Sequence, residues 1–571
     1  MKGAQALVRM LKEYRVEVIF GVPGDTSLPL YRALGEAGSD IKHVLARDER
    51  SASFMADAYA RLAHKPGLCE CPSGAGPLYA APGVAEANAS SIPVILITSD
   101  IPLSGEGKQT ITELDTQGLF GSITKWSALV KQPAKVPEVF RRAMRIATSG
   151  RPGAVHLAFP TEVMDGELEA DGGIYAEEEC LSYPAYRTRG ARTELERLTE
   201  LITRAKRPVI IAGGGANHAQ AGQAIVALAE WLSIPVVTTI SGQGIINDDH
   251  RLALGVIGDN GYHPHAHQAM EKGDVLLYVG CKMGSVSTIN WTMPGPAEDR
   301  RIVQVDLNPE MLGNNFRNTL SVAGDARLIL EDILLLVRGR MARQDESAWS
   351  KELNDQRARF WQAARAELEE QGQPLKAAPI IAELNKHLEG PTIVISDAGT
   401  PTPYTSRYLR LGGGGSRFLI PRSYGGLGYA IPALVGAHFA RPEARLVGLF
   451  GDGSLGMSAG EMETLARLNI PAVLIHFNNS SFGWIKCLQK LHSDQNYFSV
   501  DFTRGDPTLI ARGCGLKARH IKTPKELAQG MAMAFAGREP IFLDLVTEPE
   551  VDSLPPVYTW QQAAAKVQAG G

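Results

Sequence analysis

Six cysteines in 571 residues, at positions 69, 71, 180, 281, 487 and 514, are too few and too scattered for a disulfide framework. Most sit in apolar surroundings, which points to reduced thiols and a cytoplasmic setting. Cys69-Glu70-Cys71 has no second Cys or His pair at zinc spacing and reads as structural. No apolar run approaches the roughly 20 residues needed to span a bilayer. A net charge of -4 offers no basic surplus to attract nucleic acid or an anionic membrane. The opening MKGAQALVRMLKEYRVEVIF reads as an amphipathic helix leading into a strand, not as a cleavable signal segment. What is left is a globular protein, long enough for three or four domains.

Short apolar strand patterns alternate with helical ones through most of the chain, the signature of doubly wound α/β domains with mainly parallel sheets. Expected strands are Val18–Phe20, Lys42–Ala46, Gly67–Cys71, Pro93–Thr98 and Val155–Ala158, then Pro208–Ala212, Pro235–Thr239, Asp274–Val279 and Arg301–Asp306, then Thr392–Ser396, Arg445–Phe450 and Ala472–Phe477. Three domains follow: 1–165, 191–340 and 375–548. Residues 166–190, with Glu167, Glu169, Asp171, Gly172, Gly173 and Glu177 to Glu179, read as an exposed linker. Residues 341–374 read as a connecting helix with Trp349, Phe360 and Trp361 on its apolar stripe, and 549–571 as a Pro-containing tail that lies over the site. Gly213-Gly214-Gly215 after the first middle strand and Asp306 at the end of the last suggest a nucleotide-binding arrangement without a full GxGxxG fingerprint. His263-Pro264-His265-Ala266-His267 reads as a loop over the site entrance rather than a metal site.

One stretch organises the rest: Gly451-Asp452-Gly453-Ser454 after one buried strand and Asn478-Asn479 after the next, with a helix expected over Ser458–Asn469. A right-handed βαβ unit puts both strand ends on one edge of a parallel sheet, so Asp452 and Asn479 converge. A carboxylate, an amide oxygen and a backbone carbonyl are hard ligands, and Mg²⁺ completes such a set with phosphate oxygens and water. The glycines let backbone approach phosphates, and Ser454 can donate to them.

This pattern resembles the GDG…NN diphosphate-binding motif of thiamine diphosphate (ThDP) enzymes. The resemblance assigns Mg²⁺ to Asp452, Asn479 and the Ser481 carbonyl, and the diphosphate to Gly451, Gly453, Ser454, Phe482 and Gly483. Glu49 stands at a strand end just before a helix; alone it reads as a helix-start acid. In the resembled family a glutamate here bonds N1′ of the pyrimidine ring and so promotes removal of the C2 proton. Acetolactate synthases usually carry His before this Glu; here it is Asp48. Gly21-Val22-Pro23-Gly24-Asp25 resembles the GxPGD turn of pyruvate decarboxylases, which makes Asp25 a proton-transfer candidate. Gly74 in Ser73-Gly74-Ala75-Gly76, Gly399 and Thr400 in Asp397-Ala398-Gly399-Thr400, and Gly425 fall where the family's backbone approaches the cofactor. Leu427 falls where a bulky aliphatic residue holds its rings in a V.

The specificity positions fit neither branch. The His-His pair and pocket glutamate of pyruvate decarboxylases are missing. Thr112 stands where acetolactate synthases have a substrate-facing Gln, and Trp484, Ile485 and Leu488 line the expected substrate helix. The resemblance implies ThDP- and Mg²⁺-dependent decarboxylation of a 2-oxo acid such as pyruvate, with carboligation to a carbonyl acceptor, as in acetolactate synthase. The alternatives are a non-ligating benzoylformate-type decarboxylase, an oxalyl-CoA decarboxylase or 2-hydroxyacyl-CoA lyase, and a non-catalytic nucleotide-binding homologue. It also implies a homodimer at least, with tetramers common. Some members bind FAD or ADP in the middle domain; Gly280-Cys281-Lys282-Met283-Gly284-Ser285-Val286 gives no support for FAD here.

Overall fold

The structure, a computed structural model, describes residues 1–169, 173–412 and 415–570. Its frame is three parallel six-stranded sheets. The first holds β1 (Val18–Gly21), β2 (Lys42–Leu45), β3 (Gly67–Cys71), β4 (Val94–Asp100), β5 (Trp126–Leu129) and β6 (Val155–Pro160), in the order β2-β1-β3-β4-β6-β5. The second holds β7 (Pro208–Ala212), β8 (Val236–Thr238), β9 (Ala253–Val256), β10 (Val275–Val279), β11 (Arg301–Asp306) and β12 (Leu320–Ala323), in the order β12-β11-β10-β7-β8-β9. The third holds β13 (Thr392–Ser396), β14 (Arg417–Leu419), β15 (Arg445–Gly451), β16 (Ala472–Asn478), β17 (Lys517–Ile521) and β18 (Ile541–Val546), in the order β14-β13-β15-β16-β18-β17. First and third thus share one strand order, while the second has the Rossmann order 3-2-1-4-5-6. β4, β6, β10 and β13 are buried along their whole length, which is why each reads as a near-continuous apolar run.

The first and last sheets are joined through two helices, Glu49–Ala63 and Ala430–Ala440, whose flanks share one buried core with Phe20, Phe450 and Met462. The second of these, AIPALVGAHFA, is apolar nearly all round, as a helix buried on most sides must be. Gly436 allows the close approach, because a Cβ there would overlap the Met55 carbonyl. The Tyr429 hydroxyl donates to Asp57 at 2.6 Å, and Arg61 Nε donates to the same carboxylate at 2.7 Å. Burial raises the Asp57 carboxyl, and Arg61 opposes that rise. Such a pair is costly to break from one side, since the remaining charge is left buried.

Several expectations need correction. The span 166–190 is not merely an exposed linker: Cys180 and Tyr183 are fully buried, and the Tyr183 hydroxyl donates to the Ala60 carbonyl at 2.9 Å. Asp171 and Gly172 lie outside the described residues. The helix expected over Ser458–Asn469 is two, Asp452–Ser458 and Glu461–Arg467, with the break at Gly460 seated on the Arg47 side chain of the first domain. His263 precedes the helix Pro264–Lys272, because proline at the first helical position starts a helix rather than breaking one. His263 and the helix residues His265 and His267 are buried among Phe360, Trp361 and Tyr558, and burial pushes His265 down to about 3 and His267 to about 4. They form an aromatic core, not an entrance loop. The six cysteines are free thiols, and no helix of the described residues is long and apolar enough to cross a membrane.

Candidate active site

β15 and β16 are neighbours in register, so the turns that follow them lie side by side. Asp452 Oδ2 accepts the backbone N–H groups of Asn479 and Ser480, each at 3.0 Å. Ser480 holds φ at +57°, which curls the chain around the carboxylate. Beneath them His476 is fully buried: its Nδ1 lies 2.9 Å from Asp544 Oδ1, and its Nε2 has no hydrogen-bond partner among the described residues and stands 3.5 Å from Asp452 Oδ1. Burial raises the Asp452 carboxyl, opposed first by His476 and then by the two backbone donors. The Asn479 amide is placed at both ends. Its Oδ1 accepts from Ser481 N at 3.1 Å and Oγ at 2.9 Å, and its Nδ2 donates to Glu550 at 2.7 Å. At Gly453 a Cβ would overlap the Phe482 ring. Ser454 is buried, and its carbonyl accepts the Ser458 hydroxyl at 3.2 Å.

Asp397, after β13, accepts Tyr429 N at 3.2 Å and Ala430 N at 3.0 Å. Burial lifts its carboxyl to about 6. It thereby fixes the turn holding Gly425 (φ +68°), half-buried Leu427 and Gly428 (φ +83°). Glu86 of the first domain pins the start of this turn, accepting Ser423 N at 3.0 Å and Tyr424 N at 2.8 Å. Gly399 (φ +108°) and Gly456 face open space, with nothing within 4 Å of a Cβ built on either.

In the first domain Glu49 is the first residue of its helix, with Asp48 as the cap that accepts Ser51 N at 2.8 Å. Glu49 is half-buried, and burial raises its carboxyl. Behind it Glu70 on β3 is buried, accepting the Tyr31 hydroxyl with His43 Nε2 at 3.2 Å. Gly74 (φ +77°) and Thr112 (φ +72°) pack together, and a hydroxyl chain links Thr112 through Ser73 to Thr26, next to exposed Asp25. The structure therefore gathers Asp25, Gly74 and Thr112 at one place, and Asp452, Asn479, Ser481, Phe482 and Gly483 at another. The two domains meet next to Glu49: Arg47 N donates to Glu461 at 2.7 Å, Arg50 donates to the Met457 carbonyl, and Phe54 lies against Gly426.

Trp484 and Leu488 are half-buried. They pack with Cys487, Val551, Val557 and Trp560 of the C-terminal segment, the two tryptophan rings 4.4 Å apart. Ile485, on the other side of the helix Gly483–His492, is exposed. The spacing 484, 487, 488, 491 is a helical apolar stripe and marks the buried face. Sequence reasoning also missed Glu550, Asp397, Glu86 and His476. Only His476 carried a sign: a polar residue inside an otherwise apolar strand.

The donor set suits Mg²⁺ and a diphosphate. One carboxylate, one amide oxygen and a backbone carbonyl are hard oxygens at a loop whose glycines leave backbone accessible. Among the described residues no three His, Cys, Asp or Glu side chains cluster as a metal cage, and a cation sharing its shell with phosphate oxygens needs none. A separate cavity of about 330 Å³ lies at the edge of the middle sheet, where β7 and β10 part at its topological switch point, lined by Gly214, Asn217, Lys282 and Asp306 of the middle domain, Arg151 of the first and Arg422 of the last. Gly213 and Gly215 are required there by packing, since Cβ atoms would run into the backbone at Gly280.

Comparison with known proteins agrees with this layout. Residues 1–119 match the thiamine pyrophosphate enzyme N-terminal TPP binding domain, 195–333 its central domain and 397–545 its C-terminal TPP binding domain. A probable acetolactate synthase large subunit from Methanocaldococcus jannaschii is 32% identical over 98% of this chain and 93% of that protein. The acetolactate synthase isozyme 3 large subunit of Escherichia coli is 30% identical over 94% and 92% respectively. The chain belongs to the thiamine pyrophosphate enzymes, in the family of acetolactate synthase large subunits.

Proposed function

We propose that this protein decarboxylates a 2-oxo acid such as pyruvate and joins the acyl unit to a second carbonyl compound, with ThDP and Mg²⁺. The observation that carries the reading is the paired turn after β15 and β16, which holds Asp452 against Asn479. When bound, ThDP supplies a carbanion-stabilising electron sink. Asp452, Asn479 and the Ser481 carbonyl would hold the cation, and the backbone at Gly451, Gly453, Gly483, Gly399 and Thr400 the diphosphate. Gly425 and Leu427 would seat the ring end. Glu49, kept half-buried at its helix start, is the carboxyl that would exchange a proton with the pyrimidine ring. Burial raises its affinity for a proton, the direction that suits the task. Asp25 and the Thr26–Ser73–Thr112 hydroxyls stand where a proton could move at the substrate side.

The rim of the last sheet exposes Tyr424, Met457, Ile485, Phe498 and Phe502. Large apolar side chains gathered beside a site favour a covering partner, and a homodimer is the assembly proposed. The middle cavity, with cationic Lys282 and Arg422 in its lining, suits an anionic nucleotide such as FAD or ADP. The test is product analysis. Protein supplied with ThDP, Mg²⁺ and pyruvate alone should release CO₂ and accumulate acetolactate. Acetaldehyde instead would place it with the non-ligating decarboxylases, and no CO₂ from any 2-oxo acid would overturn the reading.

A further inference from the structure

Glu550 lies just after β18, whose last residue Val546 pairs with Asn478 of β16; the residue is 4% exposed and sits among residues of the proposed cofactor site. One oxygen accepts Asn479 Nδ2 at 2.7 Å and the other accepts the Thr400 hydroxyl. The same group explains Gly483, where any Cβ would overlap the carboxylate. The segment after Glu550 is held down by Val551, Leu554, Val557 and Trp560 on the helix Gly483–His492, and by Lys490 donating to the Val551 carbonyl.

An asparagine amide can present either its oxygen or its nitrogen to a cation, and only the oxygen can ligate. With Nδ2 donating to Glu550, the oxygen is turned toward Ser481. Reversing the amide would set its oxygen against a carboxylate, acceptor against acceptor. We propose that Glu550 is the positioning residue of the cation site: its carboxylate fixes which end of Asn479 faces the metal. Partners in this outer position orient metal ligands and commonly matter as much as the ligands themselves. The inference rests on the reading of Asp452 and Asn479 as cation ligands.

Equilibrium binding of ThDP to the full-length protein, titrated with Mg²⁺ and followed calorimetrically, tests it without recourse to turnover. Glu550→Ala should weaken Mg²⁺-dependent ThDP binding on the order of 10- to 100-fold. Glu550→Gln, which keeps an acceptor oxygen for Asn479, should recover most of that loss. Trp560→Ala, which loosens the segment but leaves the carboxylate, should move binding far less. Wild-type affinity in Glu550→Ala, with binding lost in Asp452→Ala, would overturn the inference alone. So would a Trp560→Ala defect as large as that of Glu550→Ala, or a Glu550→Gln defect that large. Normal binding in Asp452→Ala would remove the cation-site reading itself and the inference with it.

Discussion

The first and last sheets follow one strand order, yet their carboxyl ends carry different chemistry. After β1, β2 and β3 the first sheet presents the half-buried acids Asp48, which caps the helix, and Glu49, and a chain of hydroxyls through Thr26, Ser73 and Thr112. After β13, β15 and β16 the last sheet presents fixed backbone donors, an amide and a carboxylate packed on one another. A shared topology therefore supplies equivalent places, and in the proposed function the residues set at those places would divide the labour: proton transfer on one side, anchorage on the other.

That division is open to direct attack. The largest effect is expected from Glu49→Gln, which should bind ThDP with near-normal affinity while turnover falls on the order of 10²- to 10⁴-fold, with C2-proton exchange slowed in parallel. Unchanged exchange would strip the first sheet of its assigned role. Asp452→Ala should show the opposite split, an affinity loss on the order of 10- to 100-fold that excess cofactor partly overcomes in rate assays. If both variants lost affinity and rate in the same proportion, the two sheets would not be doing separate jobs.

The smallest effect concerns stability. The first residue after β13 is Asp397, and the first after β1 is Val22, so only the last sheet buries a carboxyl at this place. Burial raises Asp397 from an ordinary 3.8 to about 6. Between those values the folded protein keeps a proton that the unfolded chain has lost, so stability falls as pH rises through the window and the full cost stands above it. Asp397→Asn should flatten the slope of unfolding free energy between pH 4 and 6, by about 1–3 kcal/mol across the range. An unaltered slope would show that the carboxyl does not titrate in that window.

The interior strands were legible because burial on both faces leaves a continuous apolar run, as in β4 or β15. The strands that escaped notice are mostly at sheet edges: β5, β9, β12, β14 and β17. β14 is three residues long, and β17 reads Lys-Ala-Arg-His-Ile with its side chains mostly exposed, so neither has a periodic pattern to find. Asp452 and Asn479 were legible as a pair because a βαβ unit fixes their geometry. Glu550 and Glu86 were not, because each reaches the site from a part of the chain that no local spacing connects to it. Trp484 and Leu488 resemble substrate-side positions of the family, while their own spacing marks an apolar stripe against which the segment around Val557 packs.

The bond from Tyr429 to Asp57 spans 372 residues of sequence, and the helices it joins form the central seam of the molecule. A ribosome delivers the Glu49–Ala63 helix early and its partner only after most of the chain has emerged. The middle sheet draws all six strands from residues 208–323 and can close in the meantime. The first domain waits with an apolar flank uncovered. Non-local parallel pairing is slow, and uncovered apolar surface invites aggregation. Production of this protein should therefore depend on chaperone capacity and growth temperature, and chains cut short before residue 430 should be the ones that precipitate.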